Sequence, residues 1–123
     1  MFLQGNLKRL AVENRDFRHV IGTGLYGQLV LMSIPEEEEL GEETHPGTDQ
    51  LMVFASGNGK VVLGGKEVAV ETDSAIFVPA GTPYNVINPY HHPLKLYTLY
   101  APPAYPDDLV HSTLAEAFLA EAG

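Results

Sequence analysis

The sequence predicts an all-β domain, a sandwich or barrel, carrying one short C-terminal helix. Three observations predict it. Short apolar, β-branched runs recur along most of the chain. Gly, Pro and Asn break those runs at steady intervals. A helical pattern emerges only in the tail.

The elements follow in chain order. FRHVI (17–21) is a first strand. Residues 22–27, GTGLYG, fit a dinucleotide-binding fingerprint, but that motif needs a helix directly after the glycines to face a pyrophosphate. Here a strand-like run follows, YGQLVLMSI (26–34), so the glycines read as a hairpin or bulged turn. QLMVFAS (50–56) is the next strand. Asn58-Gly59 then predicts a two-residue hairpin, with KVVL (60–63) pairing back. Gly64-Gly65 turns again into KEVAVE (66–71), which alternates polar and apolar. SAIFVP (74–79) ends at a Pro and the Gly81-Thr82-Pro83 bend. YNVI (84–87) and LKLYTLYA (94–101) complete the β region. In the tail, Thr113 and Glu116 form a capping-box pattern before an Ala- and Leu-rich run. Leu114, Phe118 and Leu119 fall on one face of that helix, laid against the β-domain or a partner subunit.

A chain of 123 residues makes one domain, 1–123, with the barrel over about 14–103 and the helix over about 112–122. Its 45% hydrophobic content supports a core. Sixteen acidic residues against seven basic ones leave a net charge of −9, which argues against nucleic acid and against an anionic membrane surface. The acidic run EEEEL (36–40) reads as a solvated loop. With no cysteine there is no disulfide, thiolate ligand or cysteine nucleophile. The start, MFLQGNLKRL, lacks the apolar run of a signal peptide, and no segment is long enough to span a membrane; a soluble cytoplasmic protein is expected.

The chemistry concentrates in GEETHPGTDQ (41–50). On an extended strand Glu43 and His45 project to one face and Thr44 to the other. Pro46-Gly47 allows a tight turn, after which Gln50 returns over the Glu43/His45 face. Such nitrogen and oxygen donors suit a divalent cation. Downstream, VPAGTPYNVIN (78–88) is a strand that turns and returns, with Tyr84 and Asn88 four residues apart.

At these residues the chain resembles the cupin superfamily. Its first motif is Gly, five residues, His-any-His, three or four residues, Glu, six residues, Gly. Glu43 stands at the first His, His45 at the second, Gln50 at the Glu and Gly57 at the closing Gly, while Glu37 replaces the opening Gly. In the second motif Pro79, Gly81 and Asn88 match, with Asp73 in place of the Gly and Tyr84 in place of the His. Over roughly residues 14–113 the chain is similar to small single-domain bacterial cupins of the conserved-barrel type, some labelled sugar-phosphate-isomerase-like. Those usually carry a further His where this chain has Tyr105.

The resemblance implies a double-stranded β-helix, a cupin jelly-roll barrel that often forms a homodimer through a sheet edge, with a pocket inside the barrel. It does not imply one reaction. Three functions remain open. The first is a metal-dependent enzyme acting on a sugar or oxoacid, with Mn, Fe, Ni or Zn held by Glu43, His45, Gln50 and Tyr84. Glu43, if not a ligand, would be its general base, and Tyr84 its proton donor. The second is a metal-free module binding a small molecule through the same four residues, with Phe54, Phe77 and Tyr97 as apolar walls. The third is a structural dimer. His91 and His92 read as a solvated turn, His19 as a packing or surface residue, and His111 as a local cap or surface residue.

Overall fold

The computed structural model describes residues 2–122, with side chains to residue 120. In chain order the elements are α1 (Leu7–Glu13), β1 (Arg18–Thr23), β2 (Gln28–Ile34), β3 (Asp49–Ser56), β4 (Gly59–Leu63), β5 (Lys66–Val70), β6 (Ala75–Val78), β7 (Tyr84–Ile87), β8 (Leu94–Ala101), β9 (Val110–His111) and α2 (Leu114–Ala122). Two antiparallel sheets form, ordered β6-β3-β8-β2-β1-β9 and β5-β4-β7. This is the double-stranded β-helix arrangement.

The eight strands read from the sequence all form. Residues 22–27 close the β1–β2 hairpin, where the Gly24 amide donates to the Gly27 carbonyl at 2.8 Å. Gly64 and Gly65, at φ 53° and 87°, turn β4 into β5.

Two expectations about pairing are corrected. Asn58-Gly59 is not a hairpin turn. β3 pairs with β6 and β8, whereas β4 pairs with β5 and β7, so residues 57–59 carry the chain from one sheet to the other. The glycines serve close passage instead. Gly57 takes φ 101°, and a Cβ on Gly59 would stand 2.6 Å from Leu94 Cδ2 and 2.9 Å from the Ile87 carbonyl. Nor does Gln50 return alongside the Glu43 segment. That segment bridges β7, through Glu39 to Ile87 and Glu43 to Tyr84, and so extends the smaller sheet. Gln50 faces it from the larger one.

Strand alternation builds the core. Leu94, Leu96, Thr98 and Tyr100 point inward from β8, and Gln50, Met52 and Phe54 from β3. Val30, Ile34, Phe54, Val61, Val86, Leu94 and Leu96 have no solvent exposure. Each fully buried apolar side chain of this size contributes roughly 1.5–3 kcal/mol. The odd-numbered positions face outward. Phe77, Leu51 and Leu99 lie side by side in register on that outer face and are partly exposed.

The N-terminal helix α1 is absent from the sequence reading. It has seven residues, and only Ala11 is buried in it. Asn6 caps it, accepting from the Arg9 amide at 3.0 Å. It seats Ala11 against Leu31 and Ala55 on the outer face of the larger sheet. In α2 the capping box forms as read: the Thr113 amide donates to Glu116 at 3.2 Å, and the Glu116 amide to Thr113 Oγ1 at 3.1 Å. The apolar face differs from expectation. Ala117 is buried and Leu114 packs on the core, while Phe118 and Leu119 are mostly exposed.

Candidate functional site

The polar end of the barrel is assembled by backbone pairing. The Glu43 amide donates to the Tyr84 carbonyl at 2.8 Å and the Tyr84 amide to the Glu43 carbonyl at 2.9 Å. Residues paired this way send their side chains to one face. The Tyr84 hydroxyl accordingly lies 3.4 Å from Glu43 Oε2. Exposure alternates from 41 to 45, so His45 follows Glu43 inward while Thr44 faces solvent. His45 Nε2 stands 3.9 Å from the same carboxylate oxygen. From the facing sheet, Gln28, Tyr100 and Gln50 form one inward row across β2, β8 and β3. Gln50 Nε2 donates to the Tyr100 hydroxyl at 3.3 Å. The four side chains singled out in the sequence therefore meet inside the barrel.

Further residues join them. Arg18, 1% exposed, places Nη2 3.2 Å from Glu43 Oε1 and Nη1 3.5 Å from His111 Nδ1. Its guanidinium lies over the Tyr105 ring, 4.5 Å from the centroid, a cation–π contact. The His45 ring is surrounded by Tyr84, Tyr100 and Tyr105, with centroids 5.5–6.1 Å away. Tyr105 lies on the connection after β8. Gln28 fixes that segment: its Oε1 accepts from the Ala104 and Tyr105 amides at 3.0 Å, and its Nε2 donates to the Tyr105 carbonyl at 2.7 Å.

Burial holds all three tyrosines as neutral phenols. The Tyr84 pKa is pushed well above the ordinary value by burial first and by the Glu43 carboxylate second. Tyr100 and Tyr105 rise for the same leading reason, with the neighbouring phenol next in each case. Gln50 Oε1 is a buried acceptor at the site with no hydrogen-bond partner among the described residues.

Arg18, Gln28 and Tyr100 are site residues that sequence reasoning passed over. Their signal was parity. Arg18 shares its face with buried Val20, Gln28 with buried Val30, and Tyr100 continues the inward Leu94/Leu96 series. Parity also corrects the apolar walls: Phe54 is core, but Phe77 and Tyr97 sit on the opposite face of their strands. His91 is exposed beside Glu37 and His19 lies near Asp16, as read. His111 differs, since it faces Arg18 from β9. Asn88 is structural. Its Nδ2 donates to the Ile34, Pro35 and His92 carbonyls, tying three chain segments together.

The family resemblance raises the question of a metal. The donor set fits a divalent cation poorly. Glu43 already meets a buried guanidinium, which supplies the counter-charge a metal would supply. The phenol at 84 is held neutral, and neutral phenols are weak ligands. Among the described residues no three His, Cys, Asp or Glu side chains gather into a metal-holding group.

Comparison with known proteins agrees with this architecture. A family model described as "Cupin domain" matches residues 30–100. The uncharacterized protein YrkC of Bacillus subtilis (strain 168) is 43% identical over 122 residues, which cover 94% of this chain and 66% of YrkC. The uncharacterized protein L612 of Acanthamoeba polyphaga mimivirus is 36% identical over 106 residues, 82% of this chain and 66% of L612. The chain thus spans about two thirds of the length of these curated relatives. The crystal structure of BH2720 from Bacillus halodurans superposes with a TM-score of 0.93 at 40% identity, covering 95% of this chain and 93% of that one. Among the described residues no helix is long and apolar enough to cross a membrane.

Proposed function

The chain belongs to the cupin family, and we propose that it is a metal-free cupin whose barrel end binds a small polar molecule. The observation that carries this reading is the Arg18–Glu43 pair. A buried guanidinium beside the carboxylate offsets its charge, which favours an uncharged ligand over a cation or an anion. Gln50 Oε1 supports the same reading. A buried acceptor without a partner costs roughly 1–3 kcal/mol, and a ligand hydroxyl or amide hydrogen would satisfy it. His45 and Glu43 are the partly exposed members, with side-chain exposures of 20% and 14%, and form the face a ligand would reach first.

Binding is favoured over turnover by the state of the phenols. Tyr84 donates a hydrogen bond to Glu43 and holds its proton, so it orients a ligand better than it acts as a general acid. Glu43, engaged by Arg18 and Tyr84, is likewise an anchor more than a base.

The test combines metal analysis with ligand screening. Untagged protein is assayed for Mn, Fe, Ni and Zn, and its melting temperature is followed with and without chelator. A panel of small polyols, sugars and amides is then screened by thermal shift. We expect less than stoichiometric metal, no response to chelator, and a ligand-induced stabilisation that His45→Ala removes. Stoichiometric metal lost on His45→Ala would overturn the reading.

A further inference from the structure

A cavity of about 420 Å³ opens away from the barrel end. It lies where the α1–β1 linker crosses the outer face of β2 and β8 beside the start of α2. Phe17, Pro35, Pro93 and Leu114 line part of it. Its polar wall is made by Arg15, Lys95, Ser33, Ser112 and Thr113. Ser33 and Lys95 are register partners on neighbouring strands, so their side chains are adjacent on one face.

The charge distribution singles this place out. The chain has only seven basic residues. Four of them are engaged in ion pairs: Lys8 with Asp73, Arg9 with Glu13, Arg18 with Glu43 and Lys60 with Glu67. Of the other three, Lys66 starts β5 beside the Gly64-Gly65 turn, while Arg15 and Lys95 both face the cavity. Neither makes an ion pair among the described residues; Lys95 Nζ donates to the Asn14 carbonyl. In a protein of net charge −9, exposed Arg15 and half-buried Lys95 thus line one partly apolar cavity without a carboxylate partner among the described residues.

We propose that this cavity binds a small organic anion, a carboxylate or phosphate held by Arg15 and Lys95 with its apolar body against Phe17 and Leu114. The Lys95 pKa is lowered by burial and then by the neighbouring Arg15 charge, a like-charge strain that an anion between them relieves. The helix start does not hold the anion. Glu116 already accepts from the Ser112 and Thr113 amides at 2.6 and 3.2 Å. The hydroxyls of Ser33, Ser112 and Thr113 are the polar groups left to complete the shell. A cavity of this size suits a metabolite of modest size.

Amide NMR titrations of the full chain test this, with butyrate and inorganic phosphate as probes and 1-butanol as the neutral control. Butyrate is expected to give saturable shifts centred on Ser33, Lys95, Ser112 and Thr113, with phosphate doing the same if the apolar body adds little. 1-Butanol should bind at least about tenfold more weakly. Arg15→Gln, at an exposed position, and Lys95→Gln, which keeps a donor for the Asn14 carbonyl, should each weaken butyrate by about tenfold, and Lys66→Gln should not. Equal affinity in Arg15→Gln and the parent overturns the proposal. So does the absence of any saturable shift for both anions, or shifts centred on Glu43 and His45 instead.

Discussion

Arg18 and Glu43 form a partly buried ion pair that joins the two sheets of the barrel. Nη2 and Oε1 lie 3.2 Å apart, one from β1 of the larger sheet and the other from the segment that extends the smaller.

Removing one member should be worse than removing both. Arg18→Met leaves an unpaired, partly exposed carboxylate, and Glu43→Gln leaves an unpaired buried guanidinium. Glu43→Gln, which strands the buried guanidinium, is expected to lose roughly 3–5 kcal/mol, and Arg18→Met, which strands a partly exposed carboxylate, less. The double variant should recover much of that loss. Urea unfolding of the four proteins provides the cycle. Additive losses would mean the two charges do not depend on one another.

The buried phenols predict alkaline sensitivity. Below about pH 10 a tyrosine is protonated in both folded and unfolded chains, so these groups add no pH dependence there. Above that, the unfolded chain releases protons that folded Tyr84, Tyr100 and Tyr105 retain, since all three pKa values are raised. Stability must therefore fall as pH rises past 10, by up to about 1.4 kcal/mol per pH unit for each tyrosine. Denaturant titrations between pH 9 and 12 measure the slope, roughly. Tyr105→Phe should make it shallower by one such increment; an unchanged slope would show that Tyr105 ionises equally in both states.

Two motif glycines are replaced here, and the backbone still takes the conformation they serve. Glu37 and Asp73, the residues at those positions, sit at φ 60° and 71°. A left-handed conformation costs an ordinary residue about 1–2 kcal/mol, whereas glycine pays mainly chain entropy. Glu37→Gly should raise stability by about 0.5–1 kcal/mol, since its contact with His91 is exposed. Asp73→Gly should fall within about 0.5 kcal/mol of the parent, because Asp tolerates this conformation. Thermal melts of the two variants decide it.

Much of this protein was legible in local pattern. Alternation and turn residues located eight strands; the spacing of Glu43, His45 and Gln50, with Tyr84 added by the family resemblance, named four side chains that meet. The α2 cap was readable because Thr113 and Glu116 are three residues apart and bond each other. What local pattern misread were choices between partners. Asn58-Gly59 looked like a hairpin, since that dipeptide serves a turn or a crossing equally well. Helix α1 escaped because a seven-residue segment has little propensity of its own and is held by docking on Leu31 and Ala55.

By itself the sequence determined the periods: which residues alternate, where the chain turns, and that its charge is strongly acidic. Those are properties of neighbours along the chain. Only the tertiary structure decided which sheet each strand joins, that Arg18 meets Glu43 across 25 residues, and that Arg15 and Lys95 share a cavity. Those contacts are set by long-range packing, which joins residues far apart in the chain by burial and charge rather than by spacing.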